Sequence, residues 1–211
     1  MGPNSLAMSP RPSCCVSLSP SGLRSALWSV AVAETRTRDV SDARYVAAMA
    51  VTITPYTVEY RQLVLDLSLR AWEPVFPQMR QAVPSFVYDS FYPEGWRARQ
   101  LTDLATVLDD EPENVDVALV DGNAAGWVCT RLHAKDNMGE IYVLAVDPRH
   151  QRHGIGAALT THSFDRVRTA GLQMVMVETG GDPGHAPARA AYEALGFERW
   201  PVARYFRDLN V

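Results

Sequence analysis

The sequence predicts an α/β fold, a mixed sheet with helices on both of its faces. The order of strand and helix patterns is β-α-α-β-β-β-α-β-α-β, which matches neither a barrel nor a strictly alternating sheet. A tight turn, Asp121-Gly122-Asn123, joins two strand patterns as a hairpin. Further along, a buried strand runs through a glycine-containing loop into a helix. Together these observations favour a mixed sheet covered on both sides.

The composition limits the class of protein. The chain has 211 residues, of which 47% are hydrophobic and 21% charged, enough apolar material for one sizeable core. A net charge of −4 argues against nucleic acid as a partner. The three cysteines show neither a disulfide framework nor a zinc spacing, and no apolar run approaches the roughly 20 residues of a membrane span. We therefore expect a cytoplasmic protein without a structural metal or a membrane contact.

The first 48 residues differ in character from the rest. They are rich in Ser, Pro and Arg and show no sustained hydrophobic period, so we predict a disordered extension, followed by one domain over residues 49–211. Two other interpretations stay open. Residues 24–33 resemble a short secretory signal with an Ala-x-Ala end, and Met49 is a second candidate for the true start.

The first half of the domain is predicted to hold one strand and two helices with a proline-broken stretch between them. In order these are a strand at Val51–Thr54, a helix at Thr57–Trp72, breaks at Pro74, Pro77 and Pro84, and a helix at Glu94–Leu108. The second half follows with strands at Asp116–Val120, Ala125–His133 and Gly139–Val146, a helix at Ile155–Ala170, a strand at Met174–Glu178, a helix at Pro187–Leu195, and one or two final strands in Phe197–Leu209.

The glycine loop after the third of these strands has the features of an anion site. Gly154 and Gly156 begin a helix, whose first N–H groups have no intrahelical partner and carry the positive end of the helix dipole. Glycines allow a phosphate to approach the backbone, and Arg152 adds charge. Gly-x-Gly alone is weak evidence. A dinucleotide fingerprint requires a third glycine where this chain has Leu159, so we reject that alternative.

Two motifs give the sequence a specific resemblance. Gln151-Arg152-His153-Gly154-Ile155-Gly156-Ala157 resembles the acyl-CoA motif of the GNAT superfamily of acetyl-CoA-dependent N-acetyltransferases, and Ala190-Ala191-Tyr192-Glu193-Ala194-Leu195-Gly196-Phe197 resembles a second motif of that family. The resemblance covers about residues 50–211. It implies a central, mostly antiparallel sheet splayed at two parallel strands, with acetyl-CoA bound in the gap.

The resemblance also implies which residues bind the cofactor. Main-chain groups at the end of the strand would pair with pantetheine, and the loop amides would hold the pyrophosphate. The residues so assigned are Leu144, Ala145, Val146, Gln151, Arg152, His153, Gly154, Ile155, Gly156 and Ala157. His185 stands where the family often has a cofactor-contacting Asn, seven residues before the motif tyrosine, and a histidine there can also take up protons.

Acetyl transfer to an amine requires a neutral amine, oxyanion donors and a proton for the departing thiolate. By the resemblance, Tyr192 is the acid beside the CoA sulfur. Glu178 and Glu140 compete as the base, and relay through water without either is a third route. We expect transfer of acetyl from acetyl-CoA to a primary amine, favouring a small molecule because Glu73, Asp89 and Glu94 lie in an aromatic-rich segment with Trp72 and Phe76.

Other interpretations of the function stay open. A protein N-terminus or lysine would serve as the amine, another acyl-CoA would serve as the donor, and a CoA-binding module without catalysis would carry the same motifs. A homodimer is compatible with the sequence, which does not decide the oligomeric state.

Overall fold

The computed structural model describes residues 51–211, so the predictions for residues 1–48 and for Met49 lie outside the described part. A five-stranded sheet forms the centre of the domain. Its strands are β1 Val51–Pro55, β2 Val115–Val120, β3 Asn123–His133, β4 Met138–Val146 and β5 Met174–Val177. The helices are α1 Arg61–Trp72, α2 Val75–Ala82, α3 Ser85–Phe91, α4 Trp96–Asp110, α5 Ile155–Thr169 and α6 Ala186–Ala194. Short 3-10 turns lie before α1, β2, β4 and α6 and after β4.

The strands lie in chain order across the sheet, β1-β2-β3-β4-β5. The first four are antiparallel neighbours, whereas β4 and β5 run parallel because α5 carries the chain back across the sheet. The β2–β3 hairpin turns through Asp121 and Gly122, both with positive φ, as a two-residue turn of the primed type requires. These features confirm the predicted mixed sheet and hairpin.

Strand β4 is irregular at Tyr142. In the β3–β4 ladder Cys129 faces Val143 while Thr130 faces Ile141, so Tyr142 is an extra residue that bulges from β4. The pairing of β4 with β5 ends at the same level, with Ile141 opposite Val177. The last five residues of β4 therefore continue without β5 beside them, and the two parallel strands separate as a fork.

Each face of the sheet is covered by its own helices. One cluster of buried residues joins α1, α2 and α4 to the sheet through side chains such as Trp127, Cys129 and Val143. A second cluster joins α5 and α6 to the opposite face through Val128 and Leu144. Because neighbouring strand residues point to opposite faces, consecutive residues of one strand serve both clusters. The predicted helices on both faces are confirmed, and the two clusters are called the α1–α4 side and the α5–α6 side below.

Two glycines set the distance between α5 and the sheet. A Cβ at Gly139 of β4 would lie 2.1 Å from Cγ2 of Val167, and a Cβ at Gly126 of β3 would lie 3.2 Å from side-chain atoms of Ile155 and Leu159. Only glycine permits this close approach of helix and strand. The N-terminus of α5 is thereby fixed beside the end of β4.

The prolines after α1 begin helices, which the sequence did not predict. Pro74 and Pro84 occupy the residue before α2 and before α3, and Pro77 lies in the first turn of α2. The first N–H groups of a helix have no carbonyl partner, so a proline there costs no hydrogen bond. The prediction of a broken loop between Trp72 and Glu94 was therefore wrong.

The prediction of one or two final strands was also wrong. Residues 197–211 contain no strand, and the side chains of Trp200 and Tyr205 are 83% and 91% exposed. Pro201 removes one backbone donor from this segment, and β5 offers an edge of only four residues. A segment that buries so little apolar surface has a weak drive to extend the sheet.

Candidate active site

The main chain of β4 beyond the fork presents hydrogen-bonding groups to open space. The N–H of Asp147 donates to the carbonyl of Ala125 at 2.9 Å, which makes these two residues a hydrogen-bonded pair of the β3–β4 ladder. Hydrogen-bonded and non-hydrogen-bonded pairs alternate in an antiparallel ladder. Leu144 and Val146 therefore turn their N–H and C=O groups away from β3, toward the gap that β5 leaves. An extended amide chain can pair there as an added strand.

The buried carboxylate of Asp147 fixes the loop after β4. Its side chain is fully buried and accepts hydrogen bonds from the guanidinium groups of Arg70 and Arg149 and from the Arg149 N–H. Burial alone would raise the pKa of Asp147, but these hydrogen bonds hold it far below its ordinary value. The carboxylate is ionised at neutral pH and ties α1 to the loop.

The loop itself is held in an unusual backbone conformation. Arg152 and Gly154 have φ of 66° and 81°, in the left-handed region, where glycine fits without strain. The side-chain amide of Gln151 donates to the carbonyl of Val146 at 3.1 Å, which closes the loop onto the strand end. The Gln151 side chain thus positions the loop as well as belonging to the motif.

The first turn of α5 leaves amides available for an anion. The first helical hydrogen bond joins the Ala158 N–H to the carbonyl of Gly154, and no side chain caps the helix at Gly154. The preceding N–H groups, those of Ile155, Gly156 and Ala157, therefore have no helical carbonyl to bond. Such N–H groups, at the positive end of a helix dipole, are able to bind an anion such as a phosphate.

The side chains of the predicted cofactor residues differ in their exposure. Those of Leu144, Ala145, Val146 and Ile155 are buried, so these residues can offer only main-chain groups to a ligand. Arg152, His153 and Gly154 are exposed, and the ring of His153 bonds the carbonyl of His150 within the same loop. The structure thus brings the strand end, the loop and the helix start together in one continuous stretch.

Tyr192 lies on the α5–α6 side of the sheet. It is 5% exposed and belongs to the buried cluster that contains Leu144 and Val146 of β4. Its ring meets Phe197 edge-on, with 5.5 Å between the centroids. The predicted acid is therefore placed against the end of the strand that would pair with the ligand.

The two glutamates lie on the opposite side of the sheet from Tyr192. Val177 packs on the α5–α6 side, so strand alternation turns Glu178 to the α1–α4 side. Glu178 directly follows the last β4–β5 pair and so stands at the fork, where it pairs with Arg204. Glu140 lies within the paired part of β4, and its carboxylate is 2.9 Å from Nε2 of His133. Both predicted bases already face a cationic or titratable partner.

His185 is buried and paired with an acid. It is 2% exposed, and its Nδ1 lies 2.6 Å from Oδ2 of Asp182, whose side chain is 7% exposed. Burial alone would raise the pKa of Asp182, but its hydrogen bond to His185 lowers it below the ordinary value. Asp182 was not among the residues predicted from the sequence, although its position three residues before His185 in a turn was an available signal.

The aromatic and acidic residues between Trp72 and Glu94 divide between the core and the surface. Trp72 and Phe76 are 2% exposed and belong to the core, while Glu73 pairs with Arg97 and Asp89 with Arg80 at the surface. Tyr92, directly after α3, packs edge-on against Phe76 with 5.4 Å between the ring centroids, and burial raises the pKa of its hydroxyl.

Outside the fork, the described residues form one further surface feature of note, a depression on α5. No group of three or more His, Cys, Asp or Glu side chains within residues 51–211 could hold a metal ion, and no helix in this part of the chain is long and apolar enough to cross a bilayer. An open depression lined by Asp116, His162, Asp165, Arg166 and Thr169 lies on α5 beside β2. None of these residues belongs to the fork, so the depression is a separate surface feature.

Comparison with known proteins gives one family. The model of the acetyltransferase (GNAT) family matches residues 78–197, more than half of the chain. Among curated proteins, the mycothiol acetyltransferase of Thermomonospora curvata is 38% identical over 92 residues, which are 44% of this chain and 30% of that protein. The chain therefore spans about a third of the length of the first curated relatives it matches.

Solved structures give the same fold. The ribosomal-protein-S18-alanine N-acetyltransferase of Escherichia coli superposes with a TM-score of 0.52 and 22% identity, covering 76% of this chain and 86% of that one. The PaiA N-acetyltransferase of Thermoplasma acidophilum, solved in complex with coenzyme A, superposes with a TM-score of 0.52 and 14% identity, covering 71% and 91%. At these identities the likeness establishes the fold.

Proposed function

The chain belongs to the acetyltransferase (GNAT) family, and on that premise we propose that it transfers an acetyl group from acetyl-CoA to a primary amine. The observation that carries the proposal is a continuous stretch of outward-facing main-chain groups at the fork. It combines the outward main chain of Leu144 and Val146 with the uncapped first turn of α5. Acetyl-CoA is the co-substrate that this family uses.

The cofactor would lie along β4 and end at α5. Leu144 and Val146 pair with the amides of pantetheine, and the N–H groups of Ile155, Gly156 and Ala157 bind the pyrophosphate. Arg152, exposed in the loop, adds positive charge. The thioester then reaches the fork, where Tyr192 lies on one side of the sheet and Glu178 on the other.

The proposed reaction uses groups from both faces of the sheet, an acid on the α5–α6 side and a proton acceptor on the α1–α4 side. The neutral amine attacks the thioester carbonyl, the C–S bond breaks as the C–N bond forms, and Tyr192 supplies a proton to the departing thiolate. An alkylammonium has a pKa near 10.4, so at pH 7 roughly one amine in a few thousand is neutral. A group on the α1–α4 side must therefore take a proton from the amine, and the sequence candidates are Glu178 and Glu140.

The acceptor is proposed to be a small molecule. The curated relatives are named for mycothiol, which favours a small acceptor, although they match only about a third of their own length. The structural neighbour from Escherichia coli is named for a ribosomal protein, which keeps a protein N-terminus as the alternative. Glu178 and Glu140 place carboxylate oxygens on the α1–α4 side, and although Arg204 and His133 pair with them, these oxygens have further lone pairs that can accept hydrogen bonds from an amine.

Calorimetry with acetyl-CoA and a thiol-release assay test the proposal. The purified protein should bind acetyl-CoA and release free thiol with a subset of a panel that contains small amines, lysine peptides and peptides with free N-termini. Acetyl-CoA binding without thiol release for any amine would favour a non-catalytic binding module. No binding of acetyl-CoA or CoA would contradict the site itself. Succinyl- and propionyl-CoA belong in the same screen.

Two further expectations accompany the proposal. The cysteine spacing still favours action in the cytoplasm, and neither a monomer nor a homodimer conflicts with the fold. Cell fractionation and size-exclusion chromatography with light scattering address these points directly.

A further inference from the structure

We propose that His185, oriented by Asp182, is the group that takes the proton from the acceptor amine. This inference rests on the proposed transfer reaction and deepens it, since it names a third proton acceptor besides Glu178 and Glu140. It also names the atoms that would hold the amine while the proton moves.

The contact with Asp182 determines which ring nitrogen of His185 carries the proton. The Asp182 carboxylate has a lowered pKa and is ionised, so its Oδ2 can only accept a hydrogen bond. The proton in the 2.6 Å contact therefore belongs to Nδ1 of His185. In the neutral ring the lone pair is then on Nε2, which has no hydrogen-bond partner among residues 51–211. A neutral His185 held in this way is a proton acceptor, and the Asn of the related motif is not.

The loop around the His185–Asp182 pair is held rigidly. A Cβ at Gly180 would lie 2.3 Å from Oδ2 of Asp182 and 2.6 Å from Nδ1 of His185, so only glycine fits beside the pair. Arg189 donates from Nη1 to the carbonyls of Gly180 and Asp182 at 2.5 and 2.9 Å, which fixes the loop backbone. Such fixed geometry is what a proton acceptor needs.

The location of the His185–Asp182 pair relative to the sheet follows from the packing of its turn. The turn that contains His185 packs on α2, because a Cβ at Gly184 would lie 2.7 Å from the carbonyl of Val75. The pair is therefore on the α1–α4 side, where the amine is proposed to enter. His185 precedes α6, and Tyr192 follows seven residues later, about 10 Å along the helix axis. The proton acceptor and the proposed acid thus flank the fork from two sides.

Buried side-chain oxygen atoms that lack a hydrogen-bond partner also occur in the region of the His185 loop. Among the described residues, Oη of Tyr92 and Oγ1 of Thr179 are buried and make no hydrogen bond, whereas the Asp182 carboxylate is bonded to His185 and stabilised by backbone N–H groups of its own turn. Buried polar groups are almost always hydrogen-bonded, so such atoms in one region point to a polar ligand. Thr179 belongs to the His185 loop, and Tyr92 packs edge-on against Phe76 of α2, the helix on which that loop also packs. A primary ammonium has three N–H donors and can use acceptors of this kind.

The charged and titratable groups around His185 are few. Asp182 faces it from the same turn, Arg189 of α6 is bound to loop carbonyls, and Tyr92, directly after α3, stays neutral because burial raises its pKa.

The proton balance of the proposed reaction is as follows. R–NH₃⁺ gives one proton to Nε2, the neutral amine attacks the thioester, and the thiolate leaves as the C–N bond forms. Tyr192 gives its hydroxyl proton to the thiolate, so that CoA leaves as the free thiol. The second proton of the attacking nitrogen then passes through solvent to the Tyr192 phenolate, and His185 returns the first proton to solvent, so that one proton is released in each turnover.

Replacement by Asn separates a proton-accepting role from a cofactor-binding role. His185→Asn restores the amide that the family motif often carries, so it keeps hydrogen-bonding capacity but cannot accept a proton near neutral pH. We expect kcat to fall about 100-fold, with the Kd for acetyl-CoA unchanged. The acid limb of the kcat–pH profile should also disappear. Asp182→Asn, a second and independent variant, should lower kcat similarly because it no longer fixes the Nδ1–H tautomer. His162→Asn, a half-exposed histidine outside the fork, is the matched control and should keep wild-type kcat.

Each outcome decides between roles. Wild-type kcat in His185→Asn, or a loss in kcat/KM matched by weaker acetyl-CoA binding, would overturn the proton role while leaving the transferase intact. Retention of wild-type kcat by a folded Asp182→Asn variant would remove the positioning role. If the wild-type protein binds acetyl-CoA but transfers to no amine, the proposed function fails first, and the two failures are thereby distinguished.

Discussion

The guanidinium of Arg70 in α1 donates two hydrogen bonds to the buried carboxylate of Asp147 at the end of β4, with Nη2 2.7 Å and Nε 3.2 Å from Oδ2. The two residues are 77 positions apart in the chain. Arg149 donates to the same carboxylate, so one acid joins the first helix, the central strand and the proposed cofactor loop. The stability of the fold and the shape of the loop are coupled at this contact.

Loss of the Asp147 charge should destabilise the domain and weaken the loop. We expect Asp147→Asn to lower the free energy of unfolding by about 2 kcal/mol, less than for a fully buried pair because both arginines are partly exposed. Urea unfolding measures this, and calorimetry should show weaker acetyl-CoA binding. Asp165→Asn, which removes an exposed pair with Arg168, is the control and should cost under about 0.5 kcal/mol. Equal costs for the two variants would contradict the assignment.

The same carboxylate predicts a pH dependence of stability. The pKa of Asp147 is lower in the folded state than in the unfolded chain, so the unfolded state binds the proton more readily. The stabilising contribution is therefore complete above about pH 5 and declines as the pH falls below the ordinary value of about 3.9. The difference in unfolding free energy between wild type and Asp147→Asn should shrink from pH 7 to pH 3. A difference that is constant with pH would show that another interaction causes the loss.

The contact between Gly139 and Val167 should not tolerate a methyl group. Gly139→Ala places a Cβ 2.1 Å from Cγ2 of Val167, so we expect a loss of about 2 kcal/mol from overpacking between α5 and β4. The double variant Gly139→Ala/Val167→Ala should be more stable than the sum of the single effects predicts. Gly181→Ala is the matched control, since no atom lies within 4 Å of the added Cβ. Strict additivity of the two changes would contradict the close approach.

Removal of the Tyr192 hydroxyl should affect turnover and not binding. Because Tyr192 is proposed to protonate the thiolate, Tyr192→Phe should lower kcat by about 100-fold, while the Kd for acetyl-CoA stays near the wild-type value. Steady-state kinetics and calorimetry provide the two readouts. Tyr205→Phe, at a 91% exposed side chain of the C-terminal segment, serves as the control. Unchanged kcat in Tyr192→Phe would remove the acid role.

The two glutamates should act on acceptor binding when His185 takes the proton. Glu178 and Glu140 are paired with Arg204 and His133, and both place carboxylate oxygens on the acceptor side that can also accept hydrogen bonds from an ammonium group. Glu178→Gln and Glu140→Gln should therefore raise the KM for a cationic amine about 5- to 10-fold with little change in kcat. A large fall in kcat for either variant would return the role of base to that glutamate.

The sequence by itself determined the fold class, most of the elements and the position of the glycine loop between strand and helix. The strand from Gly139, the helix from Ile155 and the loop between them depend on interactions within a few residues, such as hydrophobic period and glycine conformation. The bounds of these elements agree with the structure to within a residue or two. Prediction from neighbouring residues failed where prolines start helices, because the sequence alone does not distinguish a proline in the first turn of a helix from one that interrupts a helix.

Only the tertiary structure decided which side chains face the fork. The sequence left Trp72 and Phe76 open between core and pocket, and the structure places both in the core. Packing on α2 brings Tyr92 and the His185 turn to the same helix, because Tyr92 contacts Phe76 and Gly184 lies close to the carbonyl of Val75. Strand alternation gives two faces but not which helix covers each one. The placement of Tyr192 and Glu178 on opposite sides of the sheet follows from how α6 and α1–α4 pack, and those contacts join residues too distant in the chain for any local pattern to encode.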